Sequence, residues 1–189
     1  MNLVYLFYII SFLWIISEIV LARTKKSNTK NDLSSHDKKS LKKIWITIML
    51  SISLGVFTSY IPFGRISAIP YLGISGIIIL ILGLIIRWIA IISLKESFTV
   101  DVTVNEGQKI IQTGIYKYIR HPAYSGSLLS FLGLSLVFSN YLTLFIVNIP
   151  IITVFLYRIR IEEQALTKEI GQEYVDYVKS TKKLIPFIY

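Results

Sequence analysis

Two short stretches of the chain concentrate side chains able to hold and align a polar ligand. The first reads Gly114-Ile115-Tyr116-Lys117-Tyr118-Ile119-Arg120-His121-Pro122-Ala123-Tyr124-Ser125-Gly126. Proline is favoured in the first turn of a helix, where its missing N–H would be unpaired anyway. Pro122 therefore marks a helix start, with His121, several aromatic rings and open backbone amides gathered beside it. Such a start can bind a carboxylate or another polar group. The same residues also suit an interfacial aromatic belt with a histidine in the headgroup zone, and composition does not separate the two readings. The second stretch is Arg158-Ile159-Arg160-Ile161-Glu162-Glu163. Arg158 and Glu162 are four residues apart and share a helix face. They suit an ordinary ion pair at a membrane exit. They equally suit two separate duties, Arg158 for a substrate carboxylate and Glu162 for a cationic ligand.

The elements that must position these residues are membrane helices. Of 189 residues, 53% are hydrophobic, and the mean hydropathy is +0.62, above the level of a soluble domain. Five apolar stretches occur, at 3–22, 44–62, 71–94, 122–138 and 142–157. A crossing needs about 20 mostly apolar residues, so the last two are short. Only Ser139, Asn140 and Tyr141 separate them, which predicts a tight helical hairpin. No positive charge precedes stretch 3–22, while Arg23, Lys25 and Lys26 follow it without a small-residue cleavage pattern. It is read as a retained spanning helix with its N-terminus outside.

The charge pattern orients the set. Of the 20 Lys and Arg residues, 18 fall in segments 23–43, 95–121 and 158–189, which alternate crossings place on one side. By the positive-inside rule that side is cytoplasmic. Topology thus explains the net charge of +9, and a nucleic-acid partner is not expected because the basic residues form no basic face. The absence of cysteine excludes disulfides and thiolate metal sites. His36 and His121 lie far apart in sequence, so no metal site is expected.

The fold class is therefore an all-α integral membrane protein of about five transmembrane helices, forming a single multi-pass domain over 1–189. Residues 1–94 hold three spans and the polar loop 23–43, which suits contact with anionic lipid headgroups. Residues 95–189 form the motif-bearing half. There, Phe98 to Val104 alternates apolar and polar residues before Asn105-Glu106-Gly107, a pattern for a short hairpin in the cytoplasmic connector. From Arg158 to about Lys179, Ile161, Ala165, Leu166, Ile170 and Tyr174 recur at helical spacing. This predicts an amphipathic helix continuing from the fifth span. Glu18 and Arg87 lie near the cytoplasmic ends of their spans, where snorkelling accounts for them. His36 is read as solvated.

The motif-bearing half resembles the isoprenylcysteine carboxyl methyltransferase family. The resemblance rests on Gly114-x-Tyr116-x-x-x-Arg120-His121-Pro122-x-Tyr124-x-Gly126, then Arg158-x-x-x-Glu162-Glu163, Gly171-x-Glu173-Tyr174-x-x-Tyr177 and the ending Leu184-Ile185-Pro186. It covers about residues 95–187 and implies a methyltransferase that holds S-adenosylmethionine in a membrane-embedded pocket. Consistently, the chain has no Gly-x-Gly-x-x-Gly. By resemblance the cofactor would contact Gln108, Lys109, Ile110, Ile111, Tyr116, His121, Pro122, Ala123, Tyr124 and Glu162. Arg158 would hold the methyl-accepting carboxylate and so carry the catalytic and substrate-binding role. Relatives often carry His at the position of Gln108, and Gln cannot become cationic.

Methyl transfer from a sulfonium to a carboxylate requires neither a metal nor a strong base, because the carboxylate is already ionised at neutral pH. Alignment, charge balance and exclusion of water remain for the protein. The acceptor expected is a lipophilic molecule drawn from the bilayer, foremost an isoprenylated cysteine carboxylate. Alternatives are a phospholipid or amine N-methyltransferase, whose acceptor would not need Arg158, and a membrane sterol-reductase-like NADPH enzyme. Reductases share the Arg-His-Pro-x-Tyr region but usually carry an acidic residue where Ser127 follows Gly126. A non-enzymatic scaffold would have no use for the polar motif at 108–124.

Overall fold

The computed structural model describes residues 3–25, 34–67, 71–95, 98–100 and 110–189. Among them the regular structure is helical: α1 (Leu3–Thr24), α2 (Ser34–Ser59), α3 (Leu72–Leu94), α4 (Pro122–Val137), α5 (Tyr141–Ile170) and α6 (Gln172–Ser180). A 3-10 turn, Gly114–Lys117, precedes α4. Four of the helices, α1, α2, α3 and α5, are long and apolar enough to cross a membrane. The fourth apolar stretch forms α4, only 16 residues, or about 24 Å at 1.5 Å per residue. That falls short of the roughly 30 Å hydrocarbon core. The expected hairpin at 98–112 falls mainly on residues 101–109, which lie outside the described residues.

In lipid, helices associate through close packing because tails are as apolar as leucine. The α3–α4 pair meets this need with glycines seven residues apart on each helix, Gly76 and Gly83 against Gly126 and Gly133. A Cβ on Gly83 would fall 2.6 Å from the Gly126 carbonyl oxygen, and one on Gly76 would fall 2.8 Å from that of Gly133. Backbone thus touches backbone, and Ser130 donates across the seam to the Leu80 carbonyl at 3.3 Å. The second tight pair is α2 with α5. A core of Leu80, Phe131, Leu134, Val147, Ile151 and Phe155 joins α3, α4 and α5.

The α4–α5 hairpin forms as expected. Ser139 takes a left-handed φ of 47°, and the Asn140 side chain caps α5 by accepting from the amides of Leu142 at 2.8 Å and Thr143 at 3.4 Å. The same side chain donates to the carbonyls of Thr58, Ile61 and Phe63 at 3.2–3.4 Å. One short polar residue therefore ties the helix start to the end of α2.

From this anchor α5 runs for 30 residues, about 45 Å. Arg158 sits about 26 Å along it and Glu162 about 31 Å, at the depth of the opposite membrane boundary. The sequence predicts one amphipathic helix through to about Lys179. Instead the helix stops at Gly171, whose φ of 72° is one that glycine adopts readily, and restarts as α6. That break turns Tyr174 and Tyr177 back into the protein, where both are buried.

Candidate active site

The residues singled out from sequence converge at the Arg158 end of the bundle. His121, Pro122, Ala123 and Tyr124 form the start of α4, with Pro122 in the first turn and no side chain capping it. The C-terminal segment holds this start in place. The amides of Arg120 and His121 donate to the carbonyls of Lys182 at 2.8 Å and Lys183 at 3.1 Å, and the Lys182 amide donates to Tyr118 at 3.0 Å. The Ser125 hydroxyl adds a bond to the Leu184 carbonyl at 2.6 Å. Lys182 and Lys183, which lead into the C-terminal Leu184-Ile185-Pro186 pattern, thus pair in parallel with residues 118–121 and fix their height, and Leu184 adds the bond to Ser125.

Tyr116 is buried in the 3-10 turn and donates to the Ala90 carbonyl of α3 at 3.3 Å. The Tyr177 hydroxyl of α6 donates to the Tyr116 carbonyl at 2.7 Å. Burial pushes Tyr177 up to about 12, so its proton stays available for that bond. Ile110 and Ile111 lie just before the turn, half-buried. Gln108 and Lys109 lie outside the described residues.

Two acidic residues on α5 divide their partners. Glu162 accepts from the Tyr124 hydroxyl at 2.9 Å through Oε2, while its Oε1 lies 4.0 Å from His121 Nδ1. Glu163 accepts from Arg120 Nε at 3.0 Å and lies 3.2 Å from His121 Nε2 and 3.0 Å from Lys183 Nζ. Arg158, one turn before Glu162, is 1% exposed. It donates to the Ser40 hydroxyl of α2 and to the Val100 carbonyl at 2.9 Å. Among the described residues no ion pair joins Arg158 to Glu162, so the first reading of that spacing, a local ion pair, does not hold. Packing directs Arg158 toward Ser40 of α2 and the connector and Glu162 toward α4, with the Tyr124 hydroxyl near both.

A second ionic cluster lies on the other side of α4. Arg87 of α3 binds Glu18 of α1 through two bonds, Nε to Oε1 and Nη2 to Oε2, both 2.6 Å. Its Nη1 reaches the Ser127 hydroxyl at 2.9 Å and the Ala123 carbonyl at 3.4 Å. Snorkelling, expected for each residue separately, is replaced by mutual pairing, because the two helices bring both charges to one level in a poorly solvated setting. Pairing of intramembrane charges is the general outcome there. Sequence reading named Glu163 and Tyr174 only as motif positions and gave them no role at the site. The Tyr174 hydroxyl is buried without a hydrogen-bond partner among the described residues and sits in the field of Glu162, Glu163 and Arg120. Its place in Gly171-x-Glu173-Tyr174-x-x-Tyr177 was the available signal. No group of three or more His, Cys, Asp or Glu able to hold a metal occurs among the described residues.

An all-helical scaffold thus gathers a carboxylate, an imidazole and a buried guanidinium at one end, and comparison with known proteins gives its class. Residues 76–168 match the family described as isoprenylcysteine carboxyl methyltransferase (ICMT). The chain is 30% identical over 175 residues to protein-S-isoprenylcysteine O-methyltransferase A of Arabidopsis thaliana, covering 92% of this chain and 87% of that protein. It is 32% identical over 117 residues to protein-S-isoprenylcysteine O-methyltransferase of Saccharomyces cerevisiae, covering 61% of this chain and 49% of that one. A solved structure of a eukaryotic intramembrane Ras methyltransferase, ICMT, aligns with a TM-score of 0.57 and 26% identity. That alignment covers 84% of this chain and 54% of the solved one, so the chain spans about half its length. The protein belongs to the isoprenylcysteine carboxyl methyltransferase family, and it is a multi-pass membrane methyltransferase.

Proposed function

We propose that the protein transfers a methyl group from S-adenosylmethionine to the carboxylate of an isoprenylated cysteine or a similar lipophilic acid drawn from the bilayer. The observation that carries this reading is the division of labour on one turn of α5. A buried guanidinium points toward α2 while the carboxylate one turn later is held by Tyr124 beside His121.

The residues present fit the methyl donor. Its ends are a cationic sulfonium amino acid and an aromatic nucleoside. The site offers a carboxylate whose Oε1 accepts no hydrogen bond among the described residues, an imidazole nitrogen 4.0 Å away, the Tyr124 ring, and the unpartnered Tyr174 hydroxyl. Glu162, His121, Tyr124, Tyr116 and the first amides of α4 would hold it, together with Ile110 and Ile111 and, from outside the described residues, Gln108 and Lys109. When bound, S-adenosylmethionine supplies an electrophilic methyl group for in-line displacement. Arg158 would fix the attacking carboxylate by its fork of N–H donors, which a lysine cannot reproduce. Its burial strengthens that attraction and excludes water that would compete for the acceptor oxygen.

An apolar groove of about 590 Å³, lined by Leu50, Leu54, Phe145, Ile149 and Pro150, lies between α2 and α5. Pro150 is eight residues before Arg158, so the groove begins about 12 Å along α5 from the guanidinium. An isoprenoid chain lying there would place its cysteine carboxylate at the Arg158 end. We also read that end as cytoplasmic, from the clustering of basic residues. Calorimetry on the detergent-solubilised protein with chelator present tests the donor: S-adenosylmethionine or its demethylated product should bind. Binding of a nicotinamide dinucleotide, with none of the methyl donor, would move the site to reductase chemistry.

A further inference from the structure

We propose that Glu163, which lies beside the ligand residues rather than among them, is the positioning residue that sets the tautomer of His121. By doing so it builds a two-acceptor clamp, His121 Nδ1 with Glu162 Oε1, for an amino or ammonium group. The inference rests on the methyl-donor reading of this site and extends it to the chemistry of one ligand group.

Glu163 is encircled. Oε1 takes the Arg120 Nε at 3.0 Å and the His121 Nε2 at 3.2 Å, and Oε2 takes the Lys183 Nζ at 3.0 Å. A carboxylate between an arginine and a lysine is ionised and only accepts hydrogen bonds. His121 Nε2 must therefore carry the proton. We take the imidazole as neutral, with one N–H, so that Nδ1 is left as a lone-pair acceptor. The ring is 4% exposed, and its Nδ1 faces Glu162 Oε1 at 4.0 Å. Two acceptors at that separation cannot satisfy each other. One nitrogen donor placed at ordinary hydrogen-bond length from both can. Oε2 of Glu162 is fixed meanwhile by Tyr124 at 2.9 Å, which keeps Oε1 turned to the clamp. Arg120 belongs to the segment paired with Lys182 and Lys183, so the tautomer is tied to the seating of the C-terminal segment. Arg120 Nη1 donates to the Thr181 carbonyl at 2.5 Å as part of that seating.

Histidine ¹⁵N spectra of the H36Q protein, in which His121 is the remaining histidine, test this directly. In the absence of ligand at neutral pH, Nε2 should resonate as the protonated, pyrrole-type nitrogen and Nδ1 as the pyridine-type one. Adding S-adenosylhomocysteine should shift Nδ1 selectively. Glu163→Ala should give mixed tautomers and weaken S-adenosylhomocysteine at least tenfold. Lys183→Met also removes a charged contact from Glu163 but leaves Oε1 and Nε2 in place. It should change affinity less than twofold and leave the tautomer alone, although both variants lower the melting temperature. A protonated Nδ1 in the unaltered ring overturns the proposal even if Glu163→Ala fails to fold, and equal affinity losses in the two folded variants overturn it as well. If S-adenosylhomocysteine does not bind at all while Nε2 carries the proton, the methyl-donor reading fails and the Glu163 assignment stands.

Discussion

The two ends of the α2–α5 pair are both polar, and they are polar in different ways. At the Asn140 end, neutral groups close on themselves. Asn140 satisfies two amides and three carbonyls. Thr143 bonds the Thr58 hydroxyl and the Gly55 carbonyl, both at 3.1 Å. At the Arg158 end, charged groups from α1, α3, α5, the segment before α4 and the C-terminal segment meet neutral groups of α2 and α4, and among the described residues some capacity is left over at Glu162 Oε1, His121 Nδ1 and the Tyr174 hydroxyl. A saturated neutral network fixes a fold, while an ionic one with directed vacancies serves a ligand. Substitutions at the two ends should therefore separate stability from activity.

The largest effect is expected at Arg158. Arg158→Lys should keep methyl-donor affinity and lose turnover by a factor set by about 2–4 kcal/mol of transition-state stabilisation. Single-turnover methyl transfer and calorimetry on the same preparation check this, and a parallel loss of donor affinity would collapse the division between Arg158 and Glu162. Next is Asn140→Ala at the opposite end. It leaves several buried backbone groups unpaired and should lower stability by about 2–4 kcal/mol, with donor affinity and turnover of the folded fraction unchanged. A thermal melt in detergent beside an activity assay reads both. A catalytic defect in the folded fraction would erase the contrast between the ends.

Glu18→Ala is expected to have an effect on stability of the same size as Asn140→Ala. It strands Arg87 without its bidentate partner, so stability should drop by about 3 kcal/mol. A double change of Glu18 and Arg87 to Gln should recover part of that loss. Additive losses in the two single variants would show that the pair does not couple α1 to α3. The smallest effect is expected in the groove. Leu54→Trp should raise the KM for a farnesylated acceptor severalfold while leaving kcat and donor affinity in place, since it fills space far from Arg158. An unchanged KM would place the isoprenoid elsewhere.

Much of the Arg158 end was legible in the sequence because its motifs are local. Pro122 marks the helix start through its fixed φ, and the spacing of Arg158 to Glu162 places both on one helix. The partners were not legible, because they come from distant segments. Nothing in the spacing tells that Arg158 meets Ser40, that Glu18 meets Arg87, or that residues 181–184 return to pair with 118–121. Hydropathy located the apolar helices, although four rather than five of those described are long and apolar enough to cross a membrane, and the glycine seam at Gly76, Gly83, Gly126 and Gly133 shows only when α3 and α4 are laid together. Gly171 carried its signal openly: a glycine inside an amphipathic pattern marks a break, and the helix divides there.

The central claim is that the Arg158 end carries a carboxyl methyltransferase whose acceptor is an isoprenylated cysteine. The most direct measurement is transfer of a labelled methyl group from S-adenosylmethionine to an amine-blocked S-farnesylcysteine by the purified protein in lipid. The same acceptor converted to its carboxamide and a phospholipid amine serve as comparisons. We expect a base-labile methyl ester to form on the free acid only, with chelator present, and to be lost in Arg158→Lys. Methylation of the amine acceptor with none on the farnesylated acid, or ester formation unchanged in Arg158→Lys, would contradict it.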